Sequence, residues 1–306
     1  MLVIGVSIGG SHVTASGVNM SEGKILKGTT FSQNLNAQAS QEEIIKIWAS
    51  QINKTIHALR GHLFRGIAFA MPGAFNYREG IALFKDTNKY EDLFNEKIEA
   101  LLNPHLLRQH LEFRFINDAT AFGMGEAWKG MGRHAQRIIC LTLGTGIGSA
   151  FIENGLPVVN RADVPPEGCL WHLPYREERV EDFFSLNWFK SQAEQMKLPI
   201  LGVKDLADRF AYSPKVRNIF DEFGDNLAEL LAPWIESFRP ELLIFGGNVS
   251  KSLPLFRSAL DQKIRKLGCS PGVVGSRLMD EAAILGCTKV FEEQCWEEII
   301  EELPLI

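Results

Sequence analysis

Glycine-rich turns follow two apolar runs of the sequence. Ile8-Gly9-Gly10-Ser11 ends the run that begins at Leu2, and Gly144-Thr145-Gly146 ends the run that begins at Ile138. Backbone amides in such a turn can point at a phosphate, and glycine is needed because a Cβ would block the close approach. One turn alone is typical of a plain hairpin, but the repetition favours a polyphosphate held by two turns that face each other across a cleft. The first turn lacks the lysine and the following helix of a P-loop, which disfavours a Walker-type NTPase.

A carboxylate lies where a predicted strand meets a predicted helix. The strand covers residues 113–116, Asn117 and Asp118 follow, and the helix covers residues 119–129. Asp is a preferred N-cap, because it accepts hydrogen bonds from free backbone amides and interacts well with the helix dipole. A carboxylate in this place can also accept the proton of a substrate hydroxyl, as in many kinases. The two roles are compatible, so Asp118 is a candidate general base.

The elements that must position these residues form two similar halves. Each half begins with a three-stranded meander whose first turn is glycine-rich, over residues 2–25 and from residue 138 onward. Each also has a buried strand that stops at a turn, at Met71-Pro72-Gly73 and at Gly246-Gly247-Asn248. Helical periodicity predicts helices over 41–59, 90–102, 119–129 and 224–238. Alternating strands and helices in two halves predict a duplicated α/β protein with two lobes and a central cleft, divided near Asn117.

Composition narrows the classes of function. The 306 residues suit two domains, with 45% hydrophobic residues and a net charge of −5. No cluster of Lys and Arg is long enough to follow a phosphate backbone, so nucleic acid is not an expected partner. Five widely spaced cysteines without a C-x-x-C pair favour a reducing cytoplasm. The longest uncharged apolar stretch, residues 138–152, is short and contains glycines, so no membrane anchor is expected.

Five motifs together resemble the ROK family, which includes bacterial sugar kinases, glucokinases among them, and sugar-responsive repressors. In chain order they are IGVSIGGS at 4–11, AMPG at 70–73, INDATA at 116–121, LGTGIG at 143–148 with NG at 154–155, and IFGGNVS at 244–250. EAAILG at 281–286 is similar to the closing helix of the family. The resemblance implies an actin/hexokinase-like (ribonuclease H-like) α/β fold. Its N-terminal lobe would cover residues 1–117, completed by a C-terminal helix at 290–306, and its C-terminal lobe residues 118–289.

The resemblance also implies roles for individual residues. Asp118 matches the catalytic base that takes the proton of the sugar hydroxyl as it attacks the γ-phosphate of ATP, and Asn117 matches a residue that binds sugar hydroxyls. The nucleotide and phosphate contacts would come from three turns: Ser7, Gly9, Gly10 and Ser11; Gly144, Thr145 and Gly146; and Gly246, Gly247 and Asn248 near adenosine. ATP with Mg²⁺ would be the cofactor, a small-molecule sugar the partner, and a homodimer the assembly.

The sequence departs from the family pattern at two places. Ser7 stands where the family has Asp, and a neutral hydroxyl attracts a hard cation far less than a carboxylate does. Ser11 replaces the usual Thr and keeps its hydroxyl. Only Cys169 remains where many members carry a cysteine-rich zinc motif, so no structural zinc is expected. Cys169 is interpreted as a small core residue.

Three further residues, besides Asn117, are candidates for sugar contacts. Glu167 and His172 resemble the sugar-binding Glu and His of the family, but five residues separate them where the family has three. A structural role for both is the alternative, and a core position is the alternative to sugar stacking for Trp171. Asn88 lies in the segment 85–90, which is similar in position to one that lines the sugar pocket. Its alternative is an ordinary turn, because Asp, Thr, Asn and Lys in succession are turn-forming.

Three functions follow from these residues. The first is an ATP-dependent kinase that phosphorylates a hexose or an N-acetylhexosamine. The second is a repressor of the same family, which would carry an N-terminal helix-turn-helix domain, whereas here the phosphate turn begins at residue 7. The third, motivated by Ser7, is a catalytically impaired sugar-binding or regulatory protein. An acidic segment over 292–302 is predicted as an amphipathic helix that docks on its own chain or on a partner subunit.

Overall fold

The structure is a computed structural model that describes residues 1–85, 89–198, 200, 202–268 and 270–300. The strands are β1 (Leu2–Ile8), β2 (His12–Asn19), β3 (Lys24–Ile25), β4 (Phe31–Asn34), β5 (Phe64–Met71), β6 (Phe75–Asn76), β7 (Ile81–Ala82), β8 (Glu112–Asn117), β9 (Arg137–Leu143), β10 (Ile147–Glu153), β11 (Leu156–Pro157), β12 (Pro174–Tyr175), β13 (Glu178–Arg179), β14 (Leu242–Gly246) and β15 (Gly272–Gly275). The helices are α1 (Gln41–Ala58), α2 (Ile98–Leu102), α3 (Asp118–Lys129), α4 (Val180–Phe183), α5 (Leu186–Gln195), α6 (Val203–Ala207), α7 (Pro214–Phe238), α8 (Leu253–Ile264), α9 (Asp280–Thr288) and α10 (Glu293–Ile299). Within these described ranges, no helix combines the length and the apolar character needed to span a membrane.

The chain divides into two compact units. The first contains Met1–Lys129 and the C-terminal segment that begins at Asp280, and the second contains Gly130–Met279. This division differs from the predicted boundaries at 117/118 and 289/290. Helix α3, with Asp118 at its start, and helix α9 both belong to the first unit. The C-terminal segment from Asp280 belongs to the first unit, and the predicted division into two lobes stays a prediction.

The sheet of the first unit has the order β3-β2-β1-β5-β8, with β4 also paired to β2. β1 runs antiparallel to β2 and parallel to β5, which is in turn parallel to β8. In the register of these strands, Ser7 lies opposite Ala70, and Met71 lies opposite Asn117. The carboxyl ends of β1, β5 and β8 therefore share one edge of the sheet.

The sheet of the second unit repeats this arrangement, with the order β11-β10-β9-β14-β15. β9 is antiparallel to β10 and parallel to β14, and Thr142 lies opposite Gly246. The carboxyl ends of β9 and β14 therefore lie side by side, and a glycine-rich turn follows each. The predicted repeat of a meander and a buried strand that stops at a turn is confirmed in both units, and the structure adds that this strand is parallel to the first strand of the meander.

Helices α3 and α9 pack closely within the first unit because glycines stand at their contact. A Cβ on Gly125 of α3 would lie 1.9 Å from the carbonyl oxygen of Ala282, and one on Gly286 of α9 would lie 1.7 Å from that of Ala121. A Cβ on Gly5 of β1 would lie 2.6 Å from the carbonyl oxygen of Ile284. Side chains at these positions would push the helices apart, so the glycines fix α3 and α9 against the sheet. This packing places both helices in one unit.

The C-terminal segment is attached to the first unit through a buried arginine. Arg114 of β8 donates a hydrogen bond of 2.5 Å to the carbonyl oxygen of Val290 and pairs with Glu112. Its guanidinium lies 4.9 Å from the ring centroids of both Phe291 and Trp296. These charge-assisted and cation–π contacts hold α10 against its own chain, which is the first of the two alternatives for the acidic segment.

Two predicted helices have different bounds in the structure. Residues 90–102 do not form one helix: a 3-10 turn at Glu91–Leu93 is followed by α2, which starts only at Ile98. Tyr90 and Asn95 have φ angles of +57° and +63°, and this left-handed conformation cannot be part of an α-helix. Helix α7 extends the predicted 224–238 helix back to Pro214, where Ser213 caps it by accepting from the amide of Val216. Pro at the first position of a helix is compatible with its missing N–H.

Candidate active site

The predicted site residues are distributed over both units. The first unit carries Ser7, Gly9, Gly10, Ser11, Asn117 and Asp118, and the second carries Gly144, Thr145, Gly146, Glu167, His172, Gly246, Gly247 and Asn248. Asn88 lies outside the described residues. Within the first unit, the sheet register brings the first glycine turn and Asp118 to the same edge, because the strands before them are separated only by β5. Neighbouring strands lie roughly 4.8 Å apart, so two strand spacings are about 10 Å.

The start of α3 is capped by Asn117, the last residue of β8. Its Oδ1 accepts hydrogen bonds of 3.0 Å from the backbone amides of Ala119 and Thr120. The sequence interpretation gave the capping role to Asp118, and the structure gives most of it to Asn117. The carboxylate of Asp118 accepts one further bond of 2.8 Å from the amide of Ala119. Asp118 is therefore oriented at the N-terminus of the helix, while Asn117 accepts most of the capping hydrogen bonds.

The environment of Asp118 suits a general base. Its side chain is partly exposed, and burial raises its pKa from 3.8 to about 6, although the amide of Ala119 and the charge of Lys89 act in the opposite direction. Burial disfavours the charged form of a carboxyl group, which is why the pKa rises. A base with this pKa is ionised at neutral pH and binds a proton far more readily than an ordinary aspartate does.

Asn117 is held by a hydroxyl behind it. Its Nδ2 donates a hydrogen bond of 3.1 Å to Oη of the buried Tyr77, which donates one of 3.4 Å to the carbonyl oxygen of Met71. An amide has two N–H donors, so one donor of Nδ2 is left for a ligand after this bond is made. A contact with a sugar hydroxyl stays a prediction, and the structure limits it to this one donor.

The first glycine turn joins β1 to β2. The amide of Gly9 donates a hydrogen bond of 2.9 Å to the carbonyl oxygen of His12. A Cβ on Gly9 would lie 3.0 Å from Cε1 of the His12 ring, so the imidazole lies across the turn. Ser7, Gly9 and Gly10 are partly exposed, whereas Ser11 is exposed. The turn is closed on the side of His12, and Ser7, Gly10 and Ser11 keep surface that is accessible to a ligand.

Tyr90 is a residue of this site that the sequence analysis did not find. It is fully buried, and its hydroxyl donates a hydrogen bond of 2.5 Å to the carbonyl oxygen of Gly9. Burial and the negative charge of Asp118 both raise the pKa of Tyr90, so the hydroxyl stays protonated. The contact joins residues 81 positions apart, and the sequence carries no signal for it beyond an aromatic residue in a turn-forming segment.

The second glycine turn, in the second unit, joins β9 to β10. The amide of Gly144 donates to the carbonyl oxygen of Gly146 at 2.9 Å, and the carbonyl oxygen of Gly144 accepts from Leu186 at 2.9 Å. Thr145 at the tip is exposed. A Cβ on Gly146 would lie 2.4 Å from Oε1 of Glu181, so a larger residue would have to displace that carboxylate. The hydroxyl of Thr145 and the open face of Gly144 are accessible to a ligand such as a phosphate.

The third turn follows β14 in the same unit. Gly247 has a φ of +81°, and a Cβ there would lie 2.4 Å from the carbonyl oxygen of Leu143, so only glycine fits. The hydroxyl of Ser250 donates 2.7 Å to the carbonyl oxygen of Gly247, and Lys251 Nζ donates 2.8 Å to Oδ1 of the exposed Asn248. A cavity of about 360 Å³ begins beside this turn. It is lined by Ser250, Lys251, Leu253, Pro254, Arg257, Gly275, Ser276 and Met279.

Glu167 and His172 are both partly buried in the second unit. Glu167 lies in a 3-10 turn with a φ of +60°, and burial raises its pKa. Burial lowers the pKa of His172, whose ring meets that of Trp171 edge-on at 5.3 Å between centroids. Cys169 is buried, which confirms its interpretation as a core residue, whereas Trp171 is only partly buried and packs against the edge of the hydrophobic core. Roles for Glu167 and His172 in sugar binding stay predictions.

Comparison with known proteins decides the family. The sequence model of the ROK family matches residues 3–167, just over half of the chain. The chain belongs to the ROK family. A glucokinase of Thermotoga maritima is 27% identical over 326 residues, covering 95% of this ROK protein and 98% of the relative. An N-acetyl-D-glucosamine kinase of Pectobacterium carotovorum is 25% identical over 227 residues, covering 65% of this chain and 75% of that protein.

A solved structure agrees with the predicted fold class. The crystal structure of a ROK family glucokinase from Streptomyces griseus in complex with glucose and AMPPNP is similar with a TM-score of 0.73 at 22% identity. The similarity covers 95% of this ROK protein and 99% of that chain. The predicted actin/hexokinase-like α/β fold is thereby confirmed.

Proposed function

We propose that this ROK protein is an ATP-dependent sugar kinase that transfers the γ-phosphate of ATP to a hydroxyl of a hexose or an N-acetylhexosamine. One observation carries the proposal: an accessible carboxylate, Asp118, has a pKa raised to about 6 and lies at the same sheet edge as the turn of Gly9 and Gly10. The names of the relatives, a glucokinase and an N-acetyl-D-glucosamine kinase, support the same chemistry and these two classes of sugar.

The reaction needs one proton acceptor in the protein. As the sugar oxygen attacks the γ-phosphorus, its O–H bond breaks and Asp118 takes the proton. The bond between the γ-phosphorus and the oxygen that bridges it to the β-phosphate breaks, and ADP leaves with the electron pair of that bond. Phosphoryl transfer requires little covalent chemistry from the enzyme, so positioning of the two substrates and neutralisation of charge supply most of the rate.

The phosphates are proposed to contact glycine turns. In the first unit these are Gly9 and Gly10 with Ser7 and Ser11, and in the second unit Gly144, Thr145 and Gly146. The turn of Gly246, Gly247 and Asn248 and the cavity beside it would take the nucleoside. The cavity is of the size of a small-ligand site and presents Lys251 and Arg257, which suit an anionic nucleotide.

Mg²⁺ is proposed to arrive as part of the Mg-ATP substrate. In the part of the chain that the structure describes, no three His, Cys, Asp or Glu side chains are grouped so that they could hold a metal ion. Ser7 offers a neutral hydroxyl at the first turn, and Asp118 offers one carboxylate that the reaction uses as a base. These residues fit an ion ligated mainly by the phosphates and water, as is usual for Mg²⁺ in kinases.

Sugar contacts are proposed for Asn117, through its second Nδ2 donor, and for Asn88, Glu167 and His172. Ser7 favours a second candidate function, a sugar-binding or regulatory protein with little turnover, because the hydroxyl attracts a cation less than the carboxylate of the family pattern. A homodimeric assembly and a cytoplasmic location stay predictions from the resemblance and the cysteine content.

A coupled ADP-release assay tests the proposal. The purified protein is given Mg-ATP and, one at a time, glucose, mannose, fructose, allose, N-acetylglucosamine and N-acetylmannosamine. Turnover with one sugar that disappears in Asp118→Ala supports the kinase and identifies its substrate. Thermal stabilisation by a sugar without turnover would instead support the binding protein. Turnover that persists in the Asp118→Ala variant would overturn the role of the base.

A further inference from the structure

Tyr90 presents a buried hydroxyl to the first glycine turn. Its side chain is fully buried, and its Oη lies 2.5 Å from the carbonyl oxygen of Gly9. Its backbone is also fixed, since its amide donates a hydrogen bond of 2.7 Å to the carbonyl oxygen of Ala37 and its φ is +57°. Residues other than glycine rarely adopt this left-handed conformation. The ring is therefore directed at the turn by its own backbone.

Packing of the ring does not require the hydroxyl. The ring meets Trp48 edge-on at 5.4 Å and Phe84 at 5.6 Å between centroids, contacts that a phenylalanine would make equally well. A buried hydroxyl without a partner destabilises a protein, so its presence is explained by the bond to Gly9. The hydroxyl of Tyr90 therefore serves to hydrogen-bond the glycine turn, and the packing of the core depends only on the ring.

The bond to Gly9 determines where the next amide points. In a trans peptide the C=O of one residue and the N–H of the following residue point in opposite directions. Tyr90 holds the carbonyl oxygen of Gly9, so the amide N–H of Gly10 points away from Tyr90. The amide of Gly9 itself is held by the carbonyl oxygen of His12. Both peptide groups around Gly9 are thereby fixed before a ligand binds.

We propose that Tyr90 is a positioning residue that orients the Gly9–Gly10 peptide, so that the amide of Gly10 donates to a phosphate oxygen of the nucleotide. The inference rests on the proposed function, because it takes the first turn as a phosphate site. Without the hydroxyl the peptide can rotate, and the amide is then oriented only when the phosphate binds. Tyr90 acts through Gly10 and does not itself touch the substrate.

Tyr90→Phe tests this role because it removes one oxygen and keeps the ring. The expected result is a fall of about tenfold in kcat/KM for Mg-ATP, as for the loss of one well-placed hydrogen bond, with the KM for the sugar changed less than twofold. Tyr175→Phe is the matched control, because the hydroxyl of Tyr175 is also buried and donates to a backbone carbonyl, that of Asn226, in the second unit. The control is expected to keep the wild-type kcat/KM for Mg-ATP.

Calorimetry with Mg-AMPPNP, which is not turned over, separates this inference from the proposed function. If the wild type binds Mg-AMPPNP but phosphorylates no sugar, the proposed kinase function is refuted. In that case a weaker affinity of the folded Tyr90→Phe variant for Mg-AMPPNP still supports the positioning role. Equal affinities and equal kcat/KM in the wild type and Tyr90→Phe overturn the inference. Three other outcomes overturn the inference as well. The kcat/KM for Mg-ATP could fall equally in Tyr175→Phe, the effect of Tyr90→Phe could be confined to the KM for the sugar, or the wild type could fail to bind Mg-AMPPNP.

Discussion

Replacement of Asp118 by asparagine should stop the reaction and stabilise the protein. Asn keeps an Oδ1 acceptor for the amide of Ala119 but cannot take a proton, and loss of a general base lowers rates by about 10²–10⁴-fold. Burial raises the pKa of Asp118 from 3.8 to about 6. At ~1.36 kcal/mol for each pKa unit, the ionised carboxylate destabilises the folded state by at most ~3 kcal/mol. Partial exposure screens the charge, so we expect Asp118→Asn to gain about 1–2 kcal/mol at pH 7.

The sign of the pH dependence checks this reasoning. Between pH 4 and pH 6 the folded protein binds the proton of Asp118 more tightly than the unfolded chain does, so the stability of the wild type falls as the pH rises through this range. Asp118→Asn lacks this dependence, and its advantage should be present at pH 7 and vanish near pH 4. Turnover of the wild type should follow the opposite course and rise with pH up to about 6, as the base ionises.

Urea denaturation at pH 7, 5 and 4 and initial rates of ADP release measure these effects. Asp92→Asn removes the same charge from an exposed position of the first unit and serves as the control, with wild-type turnover expected. A variant Asp118→Asn that is less stable than the wild type at pH 7, or that keeps more than a tenth of its turnover, would refute the assignment of Asp118 as a base whose pKa is raised by burial.

Three further substitutions test the turn, the helix contact and the C-terminal attachment. Ser7→Asp should lower the Mg²⁺ concentration needed for half-maximal ADP release if Ser7 is a weakened ligand position; a loss of activity at every Mg²⁺ concentration would contradict this. Gly286→Ala should lower the free energy of unfolding by about 3 kcal/mol or more, because the new Cβ would lie 1.7 Å from a backbone oxygen. Gly202→Ala is the control, and it should change the free energy of unfolding by less than about 1 kcal/mol because no atom lies within 4 Å of the new Cβ. Arg114→Met should lower the free energy of unfolding by about 1–3 kcal/mol in urea denaturation, because it leaves the buried carbonyl oxygen of Val290 without its donor, while Glu112 keeps its ion pair with Arg65. An unchanged midpoint would show that the contacts of Arg114 contribute nothing.

The strands and turns of both units could be predicted because their signals are local. An apolar run that stops at a glycine, as at Gly9 and Gly144, marks the end of a buried strand wherever it occurs. The helix predicted from residue 90 was wrong because periodicity does not report a backbone φ of +57° at Tyr90. Asn117 and Asp118 are both good capping residues, so their order in the sequence does not show which of them caps α3.

The division into two units depends on a contact between distant segments, the helices α3 and α9. Glycine in a helix ordinarily weakens it, so Gly125 and Gly286 carry no local indication of where their helices belong. Their role is clear only from the packing of α3 against α9, where the glycine of each helix lies so close to a backbone oxygen of the other helix that a Cβ would not fit. Such close approach cannot be inferred from either segment alone.

Two tyrosine hydroxyls hold the strand ends that precede the proposed base and the proposed phosphate turn of the first unit. Tyr77 joins the end of β8, through Nδ2 of Asn117, to the end of β5, through the carbonyl oxygen of Met71. Tyr90 holds the end of β1 through Gly9. Both rings are buried among apolar neighbours, and in the sequence they are indistinguishable from core residues. The proposed base and the proposed phosphate turn therefore both follow strand ends that a buried tyrosine hydroxyl holds. Because phenylalanine keeps each ring in its packing, removal of either hydroxyl should lower turnover more than it lowers the free energy of unfolding.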